Sequence, residues 1–303
     1  MRRLVLAVLT AVLFGTSAMA APGGNASQDT RILSGDDMEG RGIETEGGAK
    51  ARAYIQSRFK DIGLTVTEQP FAFTRRRDGK EVHGVNLIAR IEGAQPGGKV
   101  MVVSAHYDHL GIRDGVVFNG ADDNASGVAG MLAVAEAFKA APPKHTILFV
   151  AFDGEESGLR GARAFVDSPP VPLDTIGLDV NFDMLSKNAK GELYVSGGSA
   201  FPWLKARLER AAREAPVTLL LGHDTDADGP GNNWTGQSDH GAFAAKGVPW
   251  VYFGVEDHDE YHKQTDDFAT IPQPFFNGAV ATVMAACRLF DNDLDAMMKE
   301  AGR

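Results

Sequence analysis

The 303-residue chain has a single cysteine, Cys287, so no intrachain disulfide can form whatever the redox state around it. A cationic excess is also missing: 30 Lys and Arg face 40 Asp and Glu, for a net charge of −10. That balance argues against nucleic acid or an anionic membrane as the partner. No internal repeat, low-complexity block or dividing linker stands out, and one domain over residues 21–303 is expected. Hydrophobic residues at 44% and charged residues at 23% are those of an ordinary globular chain, long enough to bury a sizeable core.

Long apolar runs are lacking too, with one short exception. The opening MRRLVLAVLTAVLFGTSAMA places Arg2 and Arg3 before an apolar run from Leu4 to Phe14, then small residues ending Ala18-Met19-Ala20. This is the layout of a cleaved secretory signal, and the run is short for a membrane span. The expectation is a signal peptide over residues 1–20 and export, to the periplasm or outside the cell. Cys287 lies in the apolar run GAVATVMAACRLF and reads as core packing.

Residues 21–30 are small and polar and read as a disordered leader. From Gly48 to Leu64, Ala51, Tyr54, Ile55, Phe59 and Ile62 recur at helical spacing. The stretches LTVTEQPFAF, HGVNLIARIEG and GKVMVVSAHYD are β-rich and bounded by Gly or Pro. A helix is predicted over 124–140, capped by Asn124 or Ser126. HTILFVAFD then reads as a strand buried on both faces. Helical and strand signals keep alternating to a closing helix over 274–290. The fold class expected is α/β, with a mostly parallel or mixed sheet.

Polar residues interrupt these strands in a pattern. MVVSAHYDHLG ends with His106, Asp108 and His109, and FNGADDNASG enters a helix with Asp122 and Asp123. FVAFDGEES ends with Asp153, Glu155 and Glu156; GLDVNFDML carries Asp183; EYHKQTDD supplies His262. Sites in open α/β sheets lie beyond the carboxyl ends of the strands, so five segments can converge on one edge. Two histidines and several carboxylates without cysteine suit zinc or a similar divalent metal. Each motif alone has a blander explanation: a double aspartate before a helix is usually a cap and dipole partner. Jointly, with each acid at the end of an apolar run, they favour a site.

In that order, HYDHLG, GADDNASG, AFDGEESGLRGARAF, NFDM and YHKQTDD resemble the M28 family of zinc-dependent exopeptidases, over about residues 35–290. The resemblance implies a three-layer α/β/α sandwich holding two zinc ions. Carried over by position, His106 and Asp183 would bind one zinc, Glu156 and His262 the other, and Asp123 would bridge them. Glu155 would be the general base, Asp108 would orient His106, and Tyr261 would stabilise the transition state. Asp239, in SDHGAF, would lie just behind these groups. The adjacent glutamates then divide the work, because neighbours in an extended segment point in opposite directions.

The implied activity is that of an aminopeptidase, whose partners are peptides with a free N-terminus. A carboxypeptidase would need arginines gripping the substrate carboxylate, for which the sequence offers only Arg113 and Arg160. A glutaminyl-cyclase-like acyltransferase would use one zinc, and a non-catalytic relative would lack some ligands; the full ligand set is present here. His109 reads as a neighbour of the site rather than a ligand. His240 is open between packing and touching substrate, and Trp203, Trp234 and Trp250 are candidates for a specificity pocket.

Overall fold

A computed structural model describes residues 24–303 apart from residues 96 and 230. The expected signal peptide lies outside the described residues. Among the described residues, no helix is long and apolar enough to cross a membrane.

Four strands carry the site: β3 (Val100–His106), β6 (Thr146–Phe152), β7 (Ile176–Phe182) and β10 (Trp250–Gly254), and every residue in them is buried. They pair in parallel in the order β6-β3-β7-β10, so their carboxyl ends share one edge. On one flank, β1 (Val66–Thr74) and β2 (Glu81–Ile91) form an antiparallel pair, with β2 antiparallel to β6. On the other, β8 (Glu192–Ser196) runs antiparallel to β10, and β9 (Thr218–Leu221) runs parallel to β8. The result is a mixed eight-stranded sheet. A short hairpin of β4 (Gly111–Arg113) and β5 (Val116–Phe118) stands apart from it.

Side-chain alternation splits β3 and β6 between two cores. Met101, Val103, Ala105, Ile147, Phe149 and Ala151 pack in the larger core, with α1 (Gly24–Leu33), α2 (Glu46–Asp61), α3 (Gly127–Ala140), α5 (Pro202–Glu214) and α7 (Gln273–Glu300). Val100, Val102, Leu148, Val150 and Phe152 pack in the second, with Phe165 of α4 (Arg160–Asp167) and Phe243 of α6 (His240–Ala245). Both faces are covered, which is why β6 and β10 read as almost continuous apolar runs, whereas β3 is interrupted by Ser104 and β7 by buried Asp179 and Asn181. This is the expected α/β/α sandwich.

Three segments depart from expectation. Residues 24–30 are not a disordered leader but most of α1, with Ala26 and Thr30 fully buried and Asp29 2.6 Å from the Arg58 guanidinium of α2. The closing helix runs ten residues past 290, because Leu294, Met297 and Met298 bury against the larger core. Each of those side chains contributes roughly 1.5–3 kcal/mol. Helix α3 starts at Gly127, whose N–H donates to Asn124 Oδ1 at 2.9 Å. The same oxygen accepts the Met184 N–H at 3.1 Å, and Asn124 Nδ2 donates to the Phe182 carbonyl at 2.9 Å. Asn124 thus ties the start of α3 to the end of β7.

Candidate metal centre and active site

The edge formed by the parallel strands gathers the polar residues. His106 is the last residue of β3, Glu155 and Glu156 follow β6, Asp183 follows β7, and His262 lies beyond β10. Asp123 sits in the turn that leads from the β5 region into α3. Two donor sets result. In the first, His106 Nε2 lies 3.2 Å from Asp183 Oδ1 and 3.5 Å from Asp123 Oδ1. In the second, His262 Nε2 lies 3.1 Å from Asp123 Oδ2 and 3.3 Å from Glu156 Oε2. The two oxygens of Asp123 face different sets.

These separations fit a divalent ion in each set. Tetrahedral donors about 2.1 Å from an ion stand about 3.4 Å from one another, and imidazole and carboxylate are the donors zinc takes in the absence of thiolate. The charge distribution fits as well. Asp123, Asp108 and Asp239 are buried, with Glu155, Glu156 and Asp183 close by. Both oxygens of Asp239, and Oε1 of Glu156, lack a hydrogen-bond partner among the described residues. Packed acids left this way are costly without cations.

The electrostatics follow from that crowding. Burial pushes the Glu155 carboxyl well up; His106 opposes this, and Asp239, Asp183 and Glu156 reinforce it. Asp239 is raised to about 8, chiefly by burial, with Asp108 and Asp183 adding to it against His106. Burial disfavours charge on His262, but Asp123 and Glu156 outweigh it and push the imidazole up to about 10.

Arg41 is the cation buried beneath. Its guanidinium donates to the carbonyls of Tyr107 (2.9 Å), Leu33 (2.7 Å), Asn119 (2.6 Å), Gly120 (2.8 Å) and Asp123 (3.3 Å). Burial lowers its pKa to about 10, with Asp123 and Asp266 opposing the fall, so it stays charged at neutral pH. Asp266 adds a second brace, accepting the N–H of Asp122 at 3.0 Å and of Asp123 at 3.1 Å. Asp122 itself turns away from the donor sets, accepting from the Ser186 N–H at 2.6 Å and lying 3.0 Å from His258 Nε2.

Most expected residues converge, with changes of detail. Glu155 lies beside the first donor set and is partly buried. The Tyr261 ring stacks on His262 at 4.0 Å between centroids. Asp108 reaches His106 Nδ1 through its backbone carbonyl at 3.1 Å, with its carboxylate farther off at 3.7 Å. That carboxylate instead accepts the N–H groups of Glu155 and Glu156. Asp153 stays out of the site, accepting from Val85 N–H at 3.0 Å and the Tyr107 hydroxyl at 2.9 Å. His240 is fully buried, donating from Nε2 to the Trp234 carbonyl at 2.9 Å. Trp250 is also buried, and Trp234 stacks on His223 at 3.7 Å.

Two features escaped the sequence reading. His109 Nδ1 lies 2.9 Å from Glu156 Oε1 and 3.5 Å from Asp123 Oδ2, inside the second donor set. Arginines also gather beside the site. A groove of about 560 Å³ is lined by Arg75, Arg77 and Arg113 together with His109 and Glu156. An adjoining groove of about 500 Å³ shares Arg75, Arg77 and Glu156 and adds Arg76, Arg160 and Arg163. Neither feature follows from spacing, because the segment after β3 meets the one after β6, and the β1–β2 turn meets α4, only in three dimensions.

Residues 86–287 match peptidase family M28, and the chain belongs to that family. It is 31% identical over 213 residues to leucine aminopeptidase 2 of Trichophyton equinum, covering 69% of this chain and 39% of that protein. It is 30% identical over 207 residues to the alkaline phosphatase isozyme conversion protein of Escherichia coli, covering 62% and 58%. The chain thus spans less than two thirds of either relative. In fold it is similar to a zinc aminopeptidase from Bacillus subtilis, at 18% identity and a TM-score of 0.73 over 88% of this chain and 94% of that one. It is also similar to Porphyromonas gingivalis glutaminyl cyclase, at 20% identity and a TM-score of 0.70 over 88% and 97%.

Proposed function

We propose that this chain is an exported aminopeptidase that uses two zinc ions to hydrolyse the N-terminal peptide bond of peptides. The observation that carries the reading is the pair of donor sets divided by Asp123, with the glutamate doublet after β6 supplying one donor and one neighbouring carboxyl. His106, Asp123 and Asp183 would hold one ion, and Asp123, Glu156 and His262 the other. Bound there, zinc would supply Lewis acidity toward the scissile carbonyl and acidify a water at neutral pH.

The chain's own groups supply the remaining parts. Glu155 takes the proton from the attacking water and returns it to the leaving amine. Tyr261 keeps its phenolic proton, because burial first and then Asp123 and Asp183 push its pKa upward. It can therefore donate to the developing oxyanion. The remaining acidic groups favour a cationic α-amine, which would confine cleavage to the first bond. The low-charge opening segment with its apolar run supports export, and the matched M28 relatives with aminopeptidase names support the reaction.

A cyclase reading has one specific support, the likeness in fold to glutaminyl cyclase. Metal content separates the two. Dialysed protein should carry two zinc ions per chain, and removing them with a chelator should abolish hydrolysis of an aminoacyl anilide until zinc is returned. One ion per chain, with cyclisation of an N-terminal glutamine peptide, would support the cyclase instead.

A further inference from the structure

His109 belongs, by its sequence context, to the surroundings of the site, yet its ring is placed like a ligand. Its side chain is completely buried, and neither ring nitrogen has a hydrogen-bond partner among the described residues. A neutral imidazole carries one donor and one acceptor, so leaving both unmet in the interior is unfavourable. Nδ1 stands 2.9 Å from Glu156 Oε1 without forming a hydrogen bond, and that oxygen is unpartnered too. Paired as charges but outside hydrogen-bond geometry, the nitrogen and the oxygen are placed as two donors to one cation can be.

The ring is also held in place. A Cβ at Gly120, whose φ is +55°, would come within 2.5 Å of His109 Cγ and Cδ2. Only glycine lets the turn before Asp123 lie flat on this imidazole. On the other side, the His262 ring meets His109 edge-on at 5.8 Å.

We infer that His109 Nδ1 is a fourth protein donor to the ion held by Asp123, Glu156 and His262. The inference rests on the two-ion reading and makes the pair unequal. Four protein donors close a tetrahedral site, as in structural zinc centres, whereas His106, Asp123 and Asp183 leave a fourth position for water or substrate. Exchangeable chemistry is thereby assigned to the His106 side. The Glu156 side becomes the anchored ion, bound more tightly and released last.

Zinc-edge X-ray absorption on the zinc-loaded wild-type protein tests this without a variant. Three imidazoles shared by two ions are expected, and two would overturn the assignment. His109→Phe keeps a ring against Gly120 and removes both nitrogens. In chelator competition it should weaken one ion about tenfold or more and leave the other unchanged. Unchanged affinity for both ions would also overturn it. If wild-type protein takes up a single zinc, the two-ion reading fails, but the assignment is still decided: two imidazoles on that ion support His109, and one refutes it.

Discussion

Asp108 Oδ1 accepts the backbone N–H of Glu155 at 2.9 Å, while its Oδ2 accepts that of Glu156 at 3.3 Å. One carboxylate at the end of β3 therefore fixes the chain direction just after β6, and with it the opposed placement of the two glutamates. The imidazole of His106 is steadied by the backbone of the same residue. Asp108 thus positions both the proposed base and a proposed ligand.

Glu155 and Asp108 should separate on this basis. Glu155→Gln removes the proton acceptor with no loss of a metal donor. We expect kcat to fall by about 10²–10⁴-fold, with zinc content and melting temperature unchanged. Asp108→Ala frees two partly buried N–H groups and should cost about 1–3 kcal/mol of stability, as well as activity. Denaturant titration alongside steady-state kinetics checks both; a Glu155→Gln enzyme at near-normal rate would remove the base assignment.

Arg41 is expected to be a keystone of stability. Its five carbonyl partners come from Leu33, Tyr107 and the segment that delivers Asp123. Arg41→Met leaves those carbonyls buried and the neighbouring acids without their cation. A loss of about 3–5 kcal/mol is expected, read as a shifted denaturation midpoint at unchanged slope. A shift below about 1 kcal/mol would show that water replaces the guanidinium.

Acid sensitivity should trace in part to His240. Burial lowers its pKa from 6.5 to about 4, with the Trp234 carbonyl and Asp183 opposing the fall. The folded state therefore binds fewer protons than the unfolded state between those two values. Stability is complete above about pH 6.5 and declines as pH falls toward 4, by up to about 3 kcal/mol. His240→Gln should flatten that limb of a stability–pH curve. An unaltered limb would assign the sensitivity to other groups.

The arginine-lined grooves bear on substrate choice. Arg75 is engaged by Asp78, with contacts down to 2.6 Å, but the grooves also hold Arg77, Arg113 and Arg163. A peptide held by its amine should gain from a negative charge farther along the chain. Tripeptides with a free carboxylate should show lower KM than their amides, and the difference should shrink at high salt. Arg77→Ala with Arg113→Ala should erase it; equal KM values in the wild type would rule out the grooves as an anion site.

Much of the architecture was legible because both faces of the central strands are covered, which writes β3, β6 and β10 as largely apolar runs. His106, Glu156 and Asp183 were legible because each sits at or just after the end of one of these strands, whereas Asp123 stands in the turn before α3 and His262 eight residues beyond β10. Helix α1 was not legible, since it is fastened by polar partners: Asp29 to Arg58 and Tyr54, Asn25 to Glu136. The position of His109 depends on the pairing of β3 with β6, which brings it to Glu156 across 47 residues of chain. The arginine grooves depend likewise on the β1–β2 turn lying over α4, where Arg160 sits 4.8 Å from the Phe73 ring.

The most direct test of the proposed activity is a mass-spectrometric time course on one peptide in free and N-acetylated forms, with zinc-loaded protein. The proposal predicts stepwise loss of residues from the amino end of the free peptide and no change in the acetylated one. Trimming of both forms from the carboxyl end would contradict it and reassign the arginine-lined grooves to gripping the substrate's carboxylate.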